Sequence, residues 1–243
     1  MNNILITGAS SGIGLQTFLK AIQQSIHPIA AVRDPEKFIS RVSAITNISK
    51  NQFQTIKLDL RDDNSVETFA QRLKQQSNSI DHLVLNAGFI KTSPALMTTS
   101  DSIIDHLKVN YVSNIAIAQS IVKSYYLRKK KGSIVAISSS AAIDANSGRL
   151  AYAASKAAFS TAIRVMSREL GRVNIRCNVI APGLTDTDLM RNSTDDDQID
   201  IFAQTLSLGR VGTPTEIADV ILYLCSDNAS YITGQVISVD GGI

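Results

Sequence analysis

Tyr152 and Lys156 are two side chains whose types and spacing could do acid–base chemistry together. In an α-helix, residues four positions apart lie on one face, which would place the Lys156 ammonium beside the Tyr152 phenol. A free tyrosine has a pKa of about 10, and a nearby cation favours the phenolate and lowers that pKa. The pair could therefore donate a proton to a developing alkoxide. The spacing alone also fits a tyrosine that packs on a neighbouring element beside a lysine whose stem covers apolar surface.

The composition excludes several classes of protein. The 243 residues are 44% hydrophobic and 19% charged, as in an ordinary globular protein, and the net charge of +3 is too small to indicate a nucleic-acid partner or an acidic membrane surface. The three histidines show no metal-ligand spacing. No signal peptide and no run of about 18 apolar residues is apparent. We predict a cytoplasmic protein that forms a single domain over residues 1–243, without a metal site or a membrane span.

Short apolar runs alternate with longer amphipathic segments along the whole chain. This alternation predicts parallel strands joined by right-handed helical crossovers, hence an α/β fold: one Rossmann-type, doubly wound parallel sheet of about seven strands with helices on both faces. Ligands of such sheets bind beyond the carboxyl ends of the strands. The predicted strands are 4–6, 29–32, 53–58, 80–85, 133–138, 175–180 and 236–239, and the predicted helices are 11–24, one opening at 34–36, 63–76, 100–128, 151–171 and 214–225.

A glycine-rich turn follows the first predicted strand. Three glycines between a strand and a helix permit a tight turn and a close approach of the backbone to a pyrophosphate at the helix N-terminus. Their G-x-x-x-G-x-G spacing departs from the usual G-x-G-x-x-G, and a glycine-rich connection without a ligand is the alternative. The turn comprises Thr7, Gly8, Ala9, Ser10, Ser11, Gly12, Ile13 and Gly14.

Arg33 and Asp34 follow the second strand and bear on the choice of cofactor. An acidic residue here would bind the ribose 2′-hydroxyl of NAD, whereas an arginine would accommodate the 2′-phosphate of NADP. Asp34 directly precedes Pro35, which is the pattern of an N-cap followed by the first helical residue. Arg33 is then free to face the phosphate, so we predict NADP rather than NAD; a solvated loop residue is the alternative for Arg33.

Further candidate residues follow the later strands. Asp59, before Leu60, could accept a hydrogen bond from an adenine amino group or cap a turn. Small residues after the fourth strand (Asn86, Ala87 and Gly88) could lie against a cofactor or form a plain turn. The serines at 138–140 could bind a substrate carbonyl or satisfy backbone groups. Pro182 and Gly183 mark a sharp turn, and Thr187 beyond it could meet the nicotinamide end of a cofactor.

The segment 188–208 is polar and shows no clear periodicity, which suggests a mobile lid over the site. It contains the acidic run Asp195-Asp196-Asp197, which is better explained as a solvated face than as a metal site.

Taken together, these residues resemble the short-chain dehydrogenase/reductase family. The resemblance rests on the order and spacing of Thr7-Gly8-x-x-x-Gly12-x-Gly14, Asn86-Ala87-Gly88, Ser139, Tyr152-x-x-x-Lys156 and Pro182-Gly183. The C-terminal residues 230–235 and 239–242 are similar to the 3-oxoacyl-carrier-protein reductase branch. The likeness extends over essentially the whole chain.

The resemblance implies a role for each matching residue. Tyr152 is expected to be the acid/base, Lys156 to bind the nicotinamide ribose and lower the Tyr152 pKa, and Ser139 to orient the carbonyl. Asn110 is expected to support a water chain to Lys156; on sequence alone it could equally mark a kink or a satisfied core amide. The cofactor-lining residues are expected to be Gly8, Ser10, Ser11, Gly12, Ile13, Gly14, Arg33, Asp59, Leu60, Asn86, Ala87, Gly88, Tyr152, Lys156, Pro182, Gly183 and Thr187, with Ile180 also implied.

The expected reaction is NADP(H)-dependent interconversion of a carbonyl and a secondary alcohol. The substrate could be a 3-oxoacyl thioester on a carrier protein, with cations at 128–131, Arg168 and Arg172 as docking groups, although cations also gather at helix C-termini. Departures from the branch at Leu85, Phe89 and 147–150 leave a small ketone, sugar or other alcohol open. The resemblance implies a homodimer or homotetramer. The rival readings are a nucleotide-sensing or scaffold protein and a different Rossmann enzyme such as a methyltransferase.

Overall fold

A computed structural model describes residues 2–75 and 80–243. The chain forms one seven-stranded sheet in the order β3-β2-β1-β4-β5-β6-β7, and every neighbouring pair is parallel. The predicted fold class is therefore confirmed. The strands are β1 (Asn3–Thr7), β2 (His27–Val32), β3 (Gln54–Lys57), β4 (His82–Leu85), β5 (Gly132–Ile137), β6 (Ile175–Pro182) and β7 (Val236–Val239).

Helices cover both faces of the sheet, as the near-continuous apolar strands require. One buried cluster joins α3, α5 and α8 to the sheet, and a second joins α1, α2 and α11 to its other face. The helices are α1 (Gly12–Gln23), α2 (Pro35–Ile45), α3 (Asp63–Gln75), α4 (Ser100–Leu107), α5 (Ser113–Ile121), α6 (Leu127–Lys129), α7 (Ala141–Asp144), α8 (Leu150–Leu170), α9 (Asp188–Arg191), α10 (Asp196–Thr205) and α11 (Pro214–Cys225). The predicted end of α3 at Gln76 lies outside the described residues.

The predicted helix over 100–128 is α4, α5 and α6, joined end to end by two π-helical turns. These turns are Lys108–Val112 and Val122–Tyr126. A π turn widens the helix by one residue and is common at functional sites. The first of them carries the candidate residue Asn110, whose buried side-chain amide is hydrogen-bonded, which favours the alternative of a satisfied core amide.

The segment 188–208, whose sequence shows no clear periodicity, contains two helices, α9 and α10. α9 has only four residues and begins at an N-cap, Thr187, whose hydroxyl accepts a hydrogen bond from the Met190 N–H at 3.2 Å. A single turn is too short to show a 3.6-residue pattern. Whether the segment closes as a lid stays a prediction.

The sheet brings the candidate residues that follow its strands to one edge. In a parallel sheet all carboxyl ends lie at one edge, and strand order reverses between β1 and β4. The ends of β1, β4, β5 and β6 therefore meet around this switch point, where ligands of such folds bind. No helix in the described residues is long and apolar enough to cross a membrane.

Candidate active site

The glycine turn after β1 is shaped for close approach to a ligand. Gly8 and Gly12 have φ of 67° and 51°, a left-handed conformation that favours glycine. A Cβ on Gly14 would lie 2.3 Å from the Gly8 carbonyl oxygen, so helix α1 packs directly on the turn. The N-cap residue Ser11 makes no side-chain capping hydrogen bond. The first N–H groups of α1 are thus available to an anion, which is the requirement for binding a pyrophosphate.

Asn86 fastens the end of β4 to this turn. Its amide nitrogen donates to the carbonyl oxygens of Thr7 at 3.2 Å and Gly8 at 3.1 Å. The Thr7 hydroxyl accepts from the backbone N–H groups of Asn86 at 3.0 Å and Ala87 at 3.1 Å. Asn86 and Thr7 therefore both hold the glycine turn of Gly8, Gly12 and Gly14 in place. We call this turn the cofactor cradle. The sequence carries no signal for this role of Thr7 beyond its place in the glycine pattern, because a buried threonine in a strand is common.

The residues that follow β2 and β3 divide into structural and exposed groups. The Asp34 carboxylate accepts from the Lys37 N–H at 3.0 Å, which confirms the predicted N-cap. Arg33 remains exposed at the strand end. The Asp59 carboxylate accepts from the Arg61 N–H at 3.0 Å, which favours the turn role for it. Leu60 is buried in the core and its carbonyl accepts from Ser113, so packing accounts for it.

The loop after β6 lies against the glycine turn. A Cβ on Gly12 would lie 3.0 Å from Cγ2 of Thr187, so Thr187 is adjacent to the cradle, as its predicted role requires. The Pro182 carbonyl accepts from the Ser140 N–H at 2.9 Å, and the Gly183 N–H donates to Val239 at 3.0 Å. These two hydrogen bonds hold the turn after β6 in place against the ends of β5 and β7. Ser10 is exposed at the tip of the glycine turn, and Ile13 is half-buried against the core.

The Ser139 and Tyr152 side chains lie together at the centre of this edge, close enough for the Ser139 hydroxyl to lower the pKa of Tyr152. Tyr152 is buried on the first turn of α8, and Ser139 follows β5. The neighbouring Ser138 is occupied elsewhere, because it donates to the Lys156 carbonyl at 3.2 Å and accepts from Ser160 at 2.7 Å. Of the three serines, the geometry therefore singles out Ser139, the one chosen from its spacing to Tyr152.

Lys156 lies one turn further along α8 and is buried. Its ammonium donates to the Ile137 carbonyl at 2.8 Å and lies 5.9 Å from the centre of the Tyr152 ring. A Cβ on Gly88 would lie 3.2 Å from the same nitrogen. Gly88 thus leaves room beside the ammonium, as a ligand that approaches Lys156 would need.

Asn110 is wholly buried behind Gly88. Its side-chain oxygen accepts from the Phe89 N–H at 2.9 Å, and its nitrogen donates to the Phe89 carbonyl at 3.0 Å and to Ser155 Oγ at 3.0 Å. A Cβ on Gly88 would lie 3.0 Å from its side-chain oxygen. Asn110 therefore ties the π turn to the loop after β4 and to α8, and Ser155 is a supporting residue that the sequence pattern did not reveal.

The expected lowering of the Tyr152 pKa by Lys156 is wrong for this structure. Burial raises the pKa of Tyr152 above its ordinary value; the Ser139 hydrogen bond and the charge of Arg149 lower it, and the rise wins. Burial also lowers the pKa of Lys156 to about 8. The two side chains share a helix face, yet burial sets the direction of both pKa shifts, which spacing in a sequence cannot show.

A pH profile follows from the Lys156 shift. Between neutral pH and about 8 Lys156 carries its proton, and above that value it loses both its charge and donors that a ribose would use. We expect kcat/KM for the cofactor to fall above pH about 8, roughly tenfold per pH unit. Tyr152, with its raised pKa, keeps its proton over this range. Steady-state kinetics of wild type and Lys156→Met check this: the variant should be slow and lack this alkaline limb, and a flat wild-type profile to pH 10 would refute the assignment.

Comparison with known proteins decides the family. Residues 8–243 match the family model described as Enoyl-(Acyl carrier protein) reductase. The chain is 34% identical over 239 residues to a 3-oxoacyl-[acyl-carrier-protein] reductase of Thermotoga maritima, with 98% of this chain and 96% of the relative covered. The chain is a short-chain dehydrogenase/reductase. As a member of this family it is a nicotinamide-dependent oxidoreductase that acts on a CH–OH group.

Two other short-chain dehydrogenases/reductases show how widely the substrates of similar proteins differ. An L-xylulose reductase of Caenorhabditis elegans is 35% identical over 240 residues, covering 98% of this chain and 94% of the relative. A solved 4-hydroxyisoleucine dehydrogenase complexed with NADH has a TM-score of 0.91 and 30% identity, covering 100% of this chain and 98% of that one. The family is therefore established, and the substrate has to be argued from the site.

In residues 2–75 and 80–243, no three histidine, cysteine, aspartate or glutamate side chains lie together as a metal site. Asp195 caps α10 and is exposed, as is Asp197. Cys177 and Cys225 are buried free thiols, as their apolar contexts predict.

Proposed function

We propose that this protein uses NADPH to reduce a carbonyl to a secondary alcohol, or catalyses the reverse reaction, at Ser139, Tyr152 and Lys156. The observation that carries the proposal is the buried Lys156 ammonium, 5.9 Å from the centre of the buried Tyr152 ring, with the Ser139 hydroxyl beside the phenol, at the switch point of the sheet. A scaffold protein or a nucleotide sensor would have no use for a buried phenol so arranged. A methyltransferase is excluded by the family.

The bound nicotinamide supplies a hydride to the carbonyl carbon. Tyr152 gives its hydroxyl proton to the carbonyl oxygen, and its raised pKa keeps that proton in place at neutral pH. Ser139 donates a hydrogen bond to the same oxygen and stabilises the charge that develops there. Water exclusion strengthens both interactions, since Tyr152 is only 7% exposed.

Lys156 and Asn110 are proposed to hold the cofactor and to return the proton. With one donor of Lys156 on the Ile137 carbonyl, the other two can reach ribose hydroxyls. Asn110 fixes the loop at Gly88, next to that ammonium. This arrangement supports the predicted water chain that reprotonates Tyr152 through Lys156 and Asn110.

The cradle formed by Gly8, Gly12 and Gly14 fits the pyrophosphate of a dinucleotide, and the arginine beyond β2 favours NADPH. Asp34 uses one carboxylate oxygen to cap α2, which gives this residue a structural role. Arg33 is exposed directly after β2, which supports its proposed contact with a 2′-phosphate. The NADH in the solved 4-hydroxyisoleucine dehydrogenase shows that a similar fold binds the other cofactor, so this preference needs its own test.

We expect Arg33→Ala to weaken NADPH use and spare NADH use. Loss of a charge-assisted hydrogen bond costs about 1.5–3 kcal/mol, or roughly 10- to 100-fold in kcat/KM for NADPH. NADH has no 2′-phosphate and should change less than about threefold. Arg41→Ala is the matched control, because Arg41 is exposed on the outer side of α2. An NADH preference in wild type, or equal losses with both cofactors, would overturn the role of Arg33.

Two substrate classes are supported by different observations. A 3-oxoacyl thioester is the first, because reductases of such compounds are 30–34% identical to this chain. The cations considered for carrier docking lie away from the site within one chain: 128–131 precede the start of β5, and Arg168 is sixteen residues beyond Tyr152, about 24 Å along α8. Lys129 and Lys131 also pair with Asp81 and Asp227.

A small ketone, sugar or other unesterified compound is the second class. The sequence departs from that of the reductase branch at Leu85, Phe89 and 147–150. An L-xylulose reductase is also 35% identical to this chain, as similar as the thioester reductases are. Oxidation of NADPH and NADH in the presence of acetoacetyl thioesters, small ketones and sugars separates the two. Tight binding of NADPH without turnover of any compound would contradict the proposed function.

We further propose a homodimer or homotetramer. Exposed apolar residues on the long helices support it: Ile104 is 61% exposed, and Val112 and Val165 are each 48% exposed. A cytoplasmic location is proposed with it.

A further inference from the structure

Arg149 is a half-buried cation beside the proposed catalytic tyrosine. In residues 2–75 and 80–243, only Arg149 and Arg176 among the arginines are not exposed. The Arg176 guanidinium donates to the carbonyls of Ile232, Cys225 and Ser226. Arg149 has one hydrogen bond, from Nη2 to Thr194 Oγ1 at 3.3 Å, and no ion pair within those same ranges. Most of its five N–H donors therefore remain for a ligand.

The backbone around Arg149 is held in place from two sides. Ser93, in the loop after β4, forms a parallel bridge with Arg149 and donates its N–H to the Gly148 carbonyl at 2.9 Å. The Arg149 carbonyl accepts from the Ala153 N–H at 2.8 Å, the first hydrogen bond of α8. Arg149 is thus the N-cap residue of the helix that carries Tyr152 three positions later. Such fixed attachment is typical of a residue that must present its side chain accurately.

The guanidinium acts electrostatically on the reaction centre. Its charge lowers the pKa of Tyr152, in opposition to the larger effect of burial. A cation close enough to act on the phenol is also close to a substrate whose carbonyl oxygen meets that phenol. An anionic substituent on that substrate would pair with the guanidinium, and a planar guanidinium matches a carboxylate with two parallel hydrogen bonds.

We propose that Arg149 binds a carboxylate on the substrate, so that the preferred substrate is a small oxo acid or the corresponding hydroxy acid. This inference rests on the proposed function and selects within its second substrate class. A half-buried unpaired charge is costly to keep in a fold, and an anionic ligand that completes its hydrogen bonds removes that cost. Arg149 then sets specificity, whereas Ser139 and Tyr152 perform the proton transfer.

A structural role is the alternative explanation for Arg149, namely that its side chain holds residues 188–208 in place. Thr194 lies between α9 and α10, so the hydrogen bond from Arg149 joins the start of α8 to residues 188–208. A purely structural link would affect charged and neutral substrates alike. A specificity role acts on the charged ones only, so matched acid and ester substrates tell the two apart.

The test compares kcat/KM for acetoacetate and methyl acetoacetate, which differ in charge but share the ketone. Pyruvate and levulinate are also tested, because in these acids the distance between ketone and carboxylate differs. Wild type should prefer at least one acid over the neutral ester. Arg149→Gln should lose about 100-fold on that acid and less than threefold on the ester. Arg149→Lys should retain part of the preference. Arg164→Gln, an exposed arginine on the same helix, is the matched control and should retain all of it.

Thr194→Val distinguishes the structural role from the specificity role. It removes the hydrogen bond between Arg149 and Thr194 but keeps the Arg149 cation. We expect the acid preference to survive in this variant. Equal losses on acid and ester in Arg149→Gln, reproduced by Thr194→Val, would overturn the inference, as would a wild type that reduces neutral ketones or thioesters without favouring any acid. Failure to reduce any compound, charged or neutral, would instead contradict the proposed function itself.

Discussion

Tyr152→Phe should reduce turnover by about 10²- to 10⁴-fold while the protein stays folded. The substitution removes only the hydroxyl that donates the proton, and the ring keeps its buried contacts on α8. The interaction of the hydroxyl with Ser139 is lost with it, and we expect the free energy of unfolding to fall by no more than about 1 kcal/mol. Steady-state rates and denaturant unfolding measure the two effects separately.

Tyr126→Phe is the matched control for this variant. Tyr126 is also a buried tyrosine, and its hydroxyl donates to the Ser133 carbonyl at 3.2 Å, near the amino end of β5 and away from the proposed site. Its loss should lower the free energy of unfolding by a similar amount and leave turnover unchanged. Normal turnover in Tyr152→Phe, or an equal loss in the control, would be incompatible with Tyr152 as the acid.

Gly14→Ala should weaken cofactor binding at least tenfold and destabilise the fold. The new Cβ would lie 2.3 Å from the Gly8 carbonyl oxygen and 2.6 Å from Nδ2 of Asn86, and backbone cannot yield as a flexible side chain can. We expect a loss of about 1–3 kcal/mol in the free energy of unfolding. We also expect at least a tenfold weaker Kd for NADPH, because the turn and the N-terminus of α1 must separate. Calorimetric binding and thermal unfolding record both changes.

Gly171→Ala is the matched control here. Gly171 follows α8 with φ of −58°, and a Cβ there would meet nothing within 4 Å. An alanine at such a position restricts the unfolded chain and should stabilise the protein by about 0.4–1 kcal/mol. NADPH binding should be unchanged. If Gly14→Ala bound NADPH as wild type does, the cradle would have been assigned wrongly.

The fold was predictable because its signals are local and repeated. Apolar runs such as 133–138 mark strands buried on both faces, and Asp34 before Pro35 marks the start of α2. Strand ends in a parallel sheet must share an edge, so the meeting of Gly8, Asn86 and Ser139 followed from topology once the alternation was recognised.

The features that could not be predicted from the sequence depend on contacts between residues that are distant in the chain. The π turn at Asn110 forms against Phe89 and Ser155, neither of which is near it in the chain. The raised pKa of Tyr152 comes from burial by the whole fold, which no four-residue spacing can report. Phe89, which in the sequence was only a departure from the reductase branch, stacks on His106 with ring centres 4.4 Å apart, and the Arg61 guanidinium lies over its ring.

Arg149 is a further residue whose role could not be predicted from the sequence. In the sequence it was one member of the departure at 147–150 and had no assigned role. Its half-buried, unpaired state and its link to Thr194 appear only when α8, the loop after β4 and the segment 188–208 are packed together. Charge in a sequence can be counted, whereas the lack of a partner for a charge is a property of the fold.

The most direct test of the central claim follows the hydride. NADPH deuterated at the transferable position of its nicotinamide ring is incubated with the protein and the carbonyl compounds named above, and the products are examined by mass spectrometry and NMR. The proposed function predicts one deuterium on the carbinol carbon for each NADPH oxidised, and none with Tyr152→Phe over the same time. Oxidation of NADPH without deuterium at that carbon, or NADPH binding with no alcohol formed from any compound, would contradict it.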